Sequence, residues 1–218
     1  MKIDIRDVVC RWINLESATD NADKMRSLCS ELEIKNNERF PAIVLPSPEG
    51  TRPSETHYVG VGQSHINCLD SVKDELPALI FEDDVAVTEH YKPIIEVPDH
   101  TDAIYLGISH GDGNYIAEDI GGGMARIARM LAAHAVIYLT DRYLSAVSEV
   151  AHKCLYENKQ PFDLGTYNIQ QNFMVVTPHL PFFYQKHNGE SLNNWEDLTR
   201  TPLRISNPAF SGPVVGPS

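Results

Sequence analysis

Positive charge is what this sequence has least of. Eighteen lysines and arginines stand against thirty aspartates and glutamates, a formal net charge of −12 over 218 residues. A surface that tracks a polyanion needs clustered Lys and Arg, so nucleic acid is disfavoured as the main partner. Cysteine is scarce too. Cys10, Cys29, Cys68 and Cys154 form no CxxC pair and no regular spacing, which argues against a zinc ribbon or a dense disulfide framework. They read as reduced and mostly buried. No apolar run approaches the ~20 residues of a membrane span, and no basic segment with an apolar stretch behind it opens the chain. The expectation is a soluble, cytoplasmic protein.

What is present has the balance of an ordinary globular chain: 42% hydrophobic and 22% charged residues, so a packed core rather than disorder is expected. The length suits one core, placed at 1–200, with a Pro/Gly-rich tail at 201–218. Strand character is read at 8–15, 39–45, 78–81, 103–108 and 129–140, and in "NFMVVTP" and "LPFFYQ". Apolar residues three and four apart predict helices at 17–33 and 62–76, and a third at 141–157 with Asp141 as its cap. The Pro/Ser/Thr/Gly segment 46–56 and the Gly-rich 109–123 read as loops. Alternating strands and helices predict an α/β layer fold with a mixed, largely parallel sheet flanked by helices. Ligands of such sheets sit outside the carboxyl ends of the strands.

One stretch stands out, "LPALIFEDDVAV" at 76–87. A buried-looking strand ends in three adjacent carboxylates, Glu82, Asp83 and Asp84, which repel one another. A solvated acidic turn explains this, and so does a held cation. Hard divalent ions such as Mn²⁺ or Mg²⁺ take carboxylate oxygens and share their remaining coordination with phosphates and water. Period-two alternation sends Asp83 to the face opposite Glu82 and Asp84.

The same carboxylates belong to a longer series. "WINLE", "ERFPAI", "GVGQSHINCLDSV", "ALIFEDDV", "TDAIYLG", "AAHAVIYLT", "PFD" and "PFFYQ" follow one another from Trp12 to Gln185. In this order they resemble glycosyltransferase family 25, the lipopolysaccharide-type galactosyltransferases and the relatives of collagen galactosyltransferases. The resemblance implies a GT-A-like (Rossmann-like) fold and transfer, with inversion, of a sugar from a nucleotide donor, UDP-linked, with Mn²⁺ (or Mg²⁺). Carried over by position, Asn14 and Leu15 lie at the nucleotide end, and Ser64 and His65 begin a helix facing the donor. Glu82 and Asp84 hold metal and diphosphate, and Gln185 with Tyr184 approaches from the last strand. Asp163 in "PFD" faces the acceptor as the base an inverting transfer needs.

The sequence also departs from that pattern. Where the family has closely spaced arginines after "INL", this chain offers Lys24 and Arg26, so Lys24 is the candidate donor contact. Gly60-Val61-Gly62-Gln63 replaces the usual "GC" before "SH", and Val136 stands where the family often has Tyr. Each candidate has a plainer explanation beside it: Ser64 as an N-cap, His65 as a buttress, Asp163 as the cap of a helix after Pro161, Tyr184 as core. His134, in an apolar strand, reads as a core histidine. Gly121, Gly122 and Gly123 read as a hinge for a loop that closes over the donor, with His110 and Asp112 joining a metal shell. The acceptor is a glycan or a protein, with hydroxylated bases of viral DNA as a minor branch. Two rivals stand beside the transferase: a non-catalytic binding or assembly module on the same fold, and a metal-dependent phosphohydrolase.

Overall fold

The structure is a computed structural model that describes residues 1–45, 53–109, 115–158, 160–186 and 199–206. In chain order come β1 (Lys2–Asp4), β2 (Val9–Asn14), α1 (Thr19–Glu31), β3 (Asn36–Pro41), α2 (Pro53–Val72) and β4 (Ala78–Glu82). The short β5 (Val85–Val87) and β6 (Ile94–Glu96) precede β7 (Ala103–Tyr105), β8 (Ile116–Gly121), β9 (Met124–Ala128) and β10 (Ala135–Tyr138). Helix α3 (Asp141–Lys153) runs into a π-helical turn (Cys154–Asn158), followed by α4 (Phe162–Ile169), β11 (Val175–Pro178) and β12 (Phe183–Gln185).

Eight strands form the central sheet in the order β3-β2-β4-β10-β7-β11-β9-β8, and β1–β6 and β12–β5 pair as separate ribbons. Following the pairings across the sheet, β10 and β9 run against the other six strands. The expected mixed α/β sheet flanked by helices is therefore what the chain builds. β3 and β8 are its outer edges, and β8 is partly covered by a bridge from Ala117 to Ser206.

Strand alternation divides the core. In β4, Leu79 and Phe81 pack with Met25 and Cys29 of α1 on one face. Ala78 and Ile80 pack with Leu69 and Val72 of α2 and Tyr143 and Val147 of α3 on the other. The connection from β2 to β3 thus places α1 on one face, and that from β3 to β4 places α2 on the opposite one. Strand order reverses between β2 and β4, and the crevice outside their carboxyl ends is where such sheets bind ligands.

Several expected boundaries move, for physical reasons. β3 stops at Pro41 because the next segment leaves the sheet, with Ala42 N bonded to Asn14 O at 3.0 Å and Ile43 N to Ser64 Oγ at 2.8 Å. α2 spans Pro53–Val72 and so starts inside the expected loop, where proline suits a first helical turn because its missing N–H is one that would have no intrahelical partner; 46–52 lie outside the described residues. The expected 109–123 loop contains β8, paired with β9 in a hairpin, while 110–114 lie outside the described residues. Gly121, Gly122 and Gly123 have φ of 83°, 64° and 77°. They form the tip of that hairpin rather than a closing hinge. In 129–140 only Ala135–Tyr138 is strand, and Arg129 and Ala132 break it with φ of 57° and 133°. Thr140 takes the cap position of α3, so Asp141 is a first-turn residue and not the cap. Of the tail, 207–218 lie outside the described residues.

Asp102, fully buried before β7, pins the layers together. It accepts hydrogen bonds from Thr140 Oγ1 (2.7 Å), Arg142 Nε (2.7 Å), Arg142 Nη2 (2.6 Å) and Met174 N (2.8 Å). Asp102→Asn should lower unfolding free energy by about 2 kcal/mol, since bonds to a charged acceptor become bonds to a neutral one. Urea unfolding with unchanged slope checks this. A midpoint equal to that of the parent protein would contradict it.

Candidate active site

The carboxylate turn sits at the crevice. Asn14 closes β2 and Glu82 closes β4, with Asp83 and Asp84 in the turn before β5. Asn14, 1% exposed, bridges the two strand ends: its Nδ2 donates to Asp83 Oδ2 at 2.6 Å and to Ala18 O at 3.1 Å. Its orientation is set from behind by Arg39, whose Nε donates to Asn14 Oδ1 at 2.8 Å and whose Nη2 donates to Asn14 O at 3.3 Å. Arg39 was not singled out in the sequence. The signal was its place in β3, where it lies beside Trp12 in parallel register and so on the same face as Trp12 and Asn14.

Glu82 turns the other way, as alternation requires. Its Oε1 lies 3.0 Å from His65 Nε2, and its Oε2 accepts from Gln185 Nε2 at 3.0 Å. His65, 1% exposed, is packed against Phe162 with ring centroids 4.4 Å apart. Gln185 reaches the turn because β12 pairs with β5 in the register Gln185↔Val85. The same Nε2 stands 3.4 Å from Asp84 Oδ2, and Lys186 N donates to Asp84 O at 2.8 Å. Asp84 Oδ1 is buried with no hydrogen-bond partner.

These placements set the charges. Burial, and then the charges of Glu82 and Asp83, push the Asp84 carboxyl up to about 8. Burial also raises Asp83, against the hydrogen bonds of Asn14 and Asn21. At Glu82 burial works upward too, but the His65 hydrogen bond and the nearby histidines outweigh it and hold the carboxyl below its usual range. The turn thus carries carboxylates of unequal acidity side by side, an arrangement common at working sites.

Asp163 lies in the first turn of α4, where Pro161 holds the cap position, so it is not the cap. Its Oδ1 accepts from Leu164 N at 2.9 Å. Burial raises its carboxyl, the Glu82 charge adds to that, and His65 opposes it. Asp163 therefore stands in the field of the Glu82–His65 pair. Ser64 and His65 do not begin a helix: both lie well inside α2. The Ser64 hydroxyl donates to Gly60 O at 2.6 Å and accepts from Ile43 N at 2.8 Å, which is the back-bonding a mid-helix serine favours. Leu15 lies just past β2, 39% exposed. Lys24 is exposed on α1 and lines a cavity with Asp83 and Asp84. Tyr184 is buried, with the Arg200 guanidinium 5.1 Å from its ring centre.

His134 is fully buried against Gly107, where a Cβ would come 1.9 Å from its Nε2. Burial holds its ring down to about 4, a neutral core histidine. His110 and Asp112 lie outside the described residues.

Among the described residues no group of three or more His, Cys, Asp or Glu side chains is arranged as a metal cage. Both Glu82 oxygens are engaged and Asp83 is tied to Asn14, which leaves Asp84 Oδ1. One carboxylate oxygen without a hydrogen-bond partner fits a Mg²⁺- or Mn²⁺-type ion that arrives with phosphate ligands and keeps its water. It does not fit a site that holds a metal by protein ligands alone.

No protein-family model matches the chain, and no curated protein matches it. Among solved structures it is similar to a glycosyltransferase involved in the glycosylation of the major capsid of PBCV-1. That match has 12% identity and a TM-score of 0.36, covering 78% of this chain and 92% of that one. It is also similar to the CTP:phosphocholine cytidylyltransferase of Streptococcus pneumoniae, with 12% identity and a TM-score of 0.35, covering 82% of this chain and 93% of that one. Both superpositions are loose. No helix among the described residues is long and apolar enough to cross a membrane.

Proposed function

We propose that the chain is a metal-dependent glycosyltransferase, moving a sugar from a nucleoside-diphosphate donor to an acceptor hydroxyl with inversion. The observation that carries this reading is Asp84: a half-buried carboxylate whose Oδ1 is buried and unpaired, at the crevice where strand order reverses. An unpaired buried polar atom is costly, and a cation brought in by a diphosphate would satisfy it. The order of motifs resembling glycosyltransferase family 25 supports the same chemistry.

Asn14, held by Arg39, keeps Asp83 turned aside and the crevice open. His65 and Gln185 fix the Glu82 carboxylate, and the Gln185 amide reaches across to Asp84. A divalent cation bound at Asp84 would supply charge neutralisation for the departing diphosphate. Asp163 takes the proton of the acceptor hydroxyl at a carboxylate oxygen, its basicity raised by burial. The donor is proposed to be UDP-linked and the acceptor a glycan or protein.

The test is a thermal-shift matrix of UDP, GDP, CMP and UDP-sugars, each with and without Mn²⁺, repeated on Asp84→Ala. A ligand at a hundred times its Kd stabilises by about 2.7 kcal/mol, or roughly 5–10 °C for a chain of this size. The expected result is such a shift for one nucleotide, dependent on Mn²⁺ and lost in the variant. No shift with any nucleotide would remove the transferase reading and favour a binding module on the same fold.

A further inference from the structure

α2 reaches past the end of the sheet. β3 and β4 are both parallel to β2, so the helix that joins them runs against their direction. Its later half is level with β4: Leu69 and Val72 pack with Ala78 and Ile80, and His65 meets Glu82, the last residue of that strand, at 3.0 Å. The part of α2 before His65 therefore rises beyond the carboxyl ends of the strands and walls the crevice. His57, about two turns earlier, is near enough to act on the Glu82 carboxyl.

An exposed aromatic ring stands on that wall. Tyr58 precedes His65 by one heptad, so the two share a face with about 10 Å of rise between them. His65 is packed against Phe162, the residue before Asp163. From the sheet outward this face therefore runs from His65, beside Phe162 and Asp163, to half-buried Val61 and then to Tyr58, 48% exposed. The His57 ring flanks it, its centroid 5.9 Å from that of Tyr58 and tilted by 59°. Tyr156 is a useful contrast. Though 60% exposed, it is stacked on His152 and its hydroxyl donates to Gln63 Oε1. Gln63 lies about 200° around the helix from His65, away from the crevice.

We propose that Tyr58 is the platform of an acceptor subsite for a neutral oligosaccharide, with the accepting sugar beside Asp163 and the next ring lying on the tyrosine. A pyranose has an apolar C–H face that an aromatic ring covers and a rim of hydroxyls that stays in water, so a half-exposed ring suits it. The rise from His65 to Tyr58 exceeds one sugar ring, which selects an oligosaccharide over a monosaccharide. The negative field of Glu82 and Asp163 disfavours a phosphorylated or acidic sugar. An extended peptide would need open backbone groups to pair with, and a helix past its first turn keeps its own N–H groups paired internally.

The test is saturation-transfer NMR on the full chain with lactose, cellobiose and diacetylchitobiose, with the corresponding methyl monosaccharides, and with a serine-rich peptide. The parent is compared with Tyr58→Ala, Tyr58→Phe and Tyr156→Ala. A disaccharide should receive saturation mainly on the C–H protons of one ring face. Tyr58→Ala should weaken its binding roughly three- to tenfold, the scale of one aromatic contact, without changing the melting temperature. Tyr58→Phe should keep the binding, because the ring and not the hydroxyl holds the sugar. Tyr156→Ala should match the parent, and the monosaccharides should not distinguish the parent from Tyr58→Ala.

Equal disaccharide binding by the parent and Tyr58→Ala would overturn the proposal. So would no disaccharide binding by the parent, or Tyr58-dependent binding of the peptide alone. The subsite rests on the transferase reading for the role of Asp163, and the two fail separately. Tyr58-dependent disaccharide binding with no nucleotide-induced thermal shift upholds the platform and assigns it to a binding module. A Mn²⁺-dependent nucleotide shift with disaccharide binding indifferent to Tyr58 removes the platform and leaves the transferase reading standing.

Discussion

Asp84→Asn should raise the melting temperature at pH 8 and leave it nearly unchanged near pH 4. The Asp84 carboxyl, ordinarily near 3.8, is pushed up to about 8 by burial and by its two carboxylate neighbours. The native state therefore favours the protonated form. Its contribution to stability is complete below the unfolded pKa and is lost as pH rises from 3.8 towards 8. Asparagine, neutral throughout, escapes that loss, so the variant gains roughly 2–5 kcal/mol at pH 8, or roughly 5 °C or more. His134 acts in the opposite sense: held down to about 4 by burial, it costs stability as pH falls from 6.5. That contribution is common to both proteins and cancels in their difference. Melting curves at pH 4, 6 and 8 without ligand decide the matter. An equal difference at all three pH values would show that the carboxyl ionises in its ordinary range.

Asp163→Asn should cut the rate of nucleoside diphosphate release by roughly 10²- to 10⁴-fold, the usual contribution of a positioned general base. The donor-induced, Mn²⁺-dependent thermal shift should survive, because Asp163 lies in α4, on the side of the turn where Glu82 meets His65 and Phe162. Loss of rate with retained donor binding separates a base from a donor contact. The pH profile provides a second check, since the parent should lose activity as Asp163 is protonated on acidification. A rate within threefold of the parent would assign proton removal to another group. Asp163 would then be left with the local bond to Leu164 N.

Much of the site could be read from the sequence because its residues end strands. Asn14, Glu82 and Gln185 each close a strand, and strand ends are marked by a change from apolar to polar residues. Period two even placed Asp83 on the face away from Glu82. What failed depended on tertiary contacts. The Ser64 hydroxyl looked available for a ligand or a cap. Its actual partners are a carbonyl one turn back and an amide from the segment after β3, and nothing local announces the second. Arg39 was passed over because its strand was recognised by its apolar neighbours. The β8–β9 hairpin was read as a loop because three glycines mark a turn without saying whether strands flank it.

The two edges of the central sheet bear on how the protein behaves at high concentration. A free strand edge is a template for pairing with another copy. On β3 the exposed positions include Glu38, and on β8 they include Glu118 and Asp119. A second molecule approaching either edge meets the same negative charges it carries itself, within a chain of net charge −12. The bridge from Ser206 to Ala117 shields part of the β8 edge as well. The acidity of the chain thus helps to keep the sheet finite, and acidification that neutralises these three side chains removes a barrier to edge-to-edge aggregation.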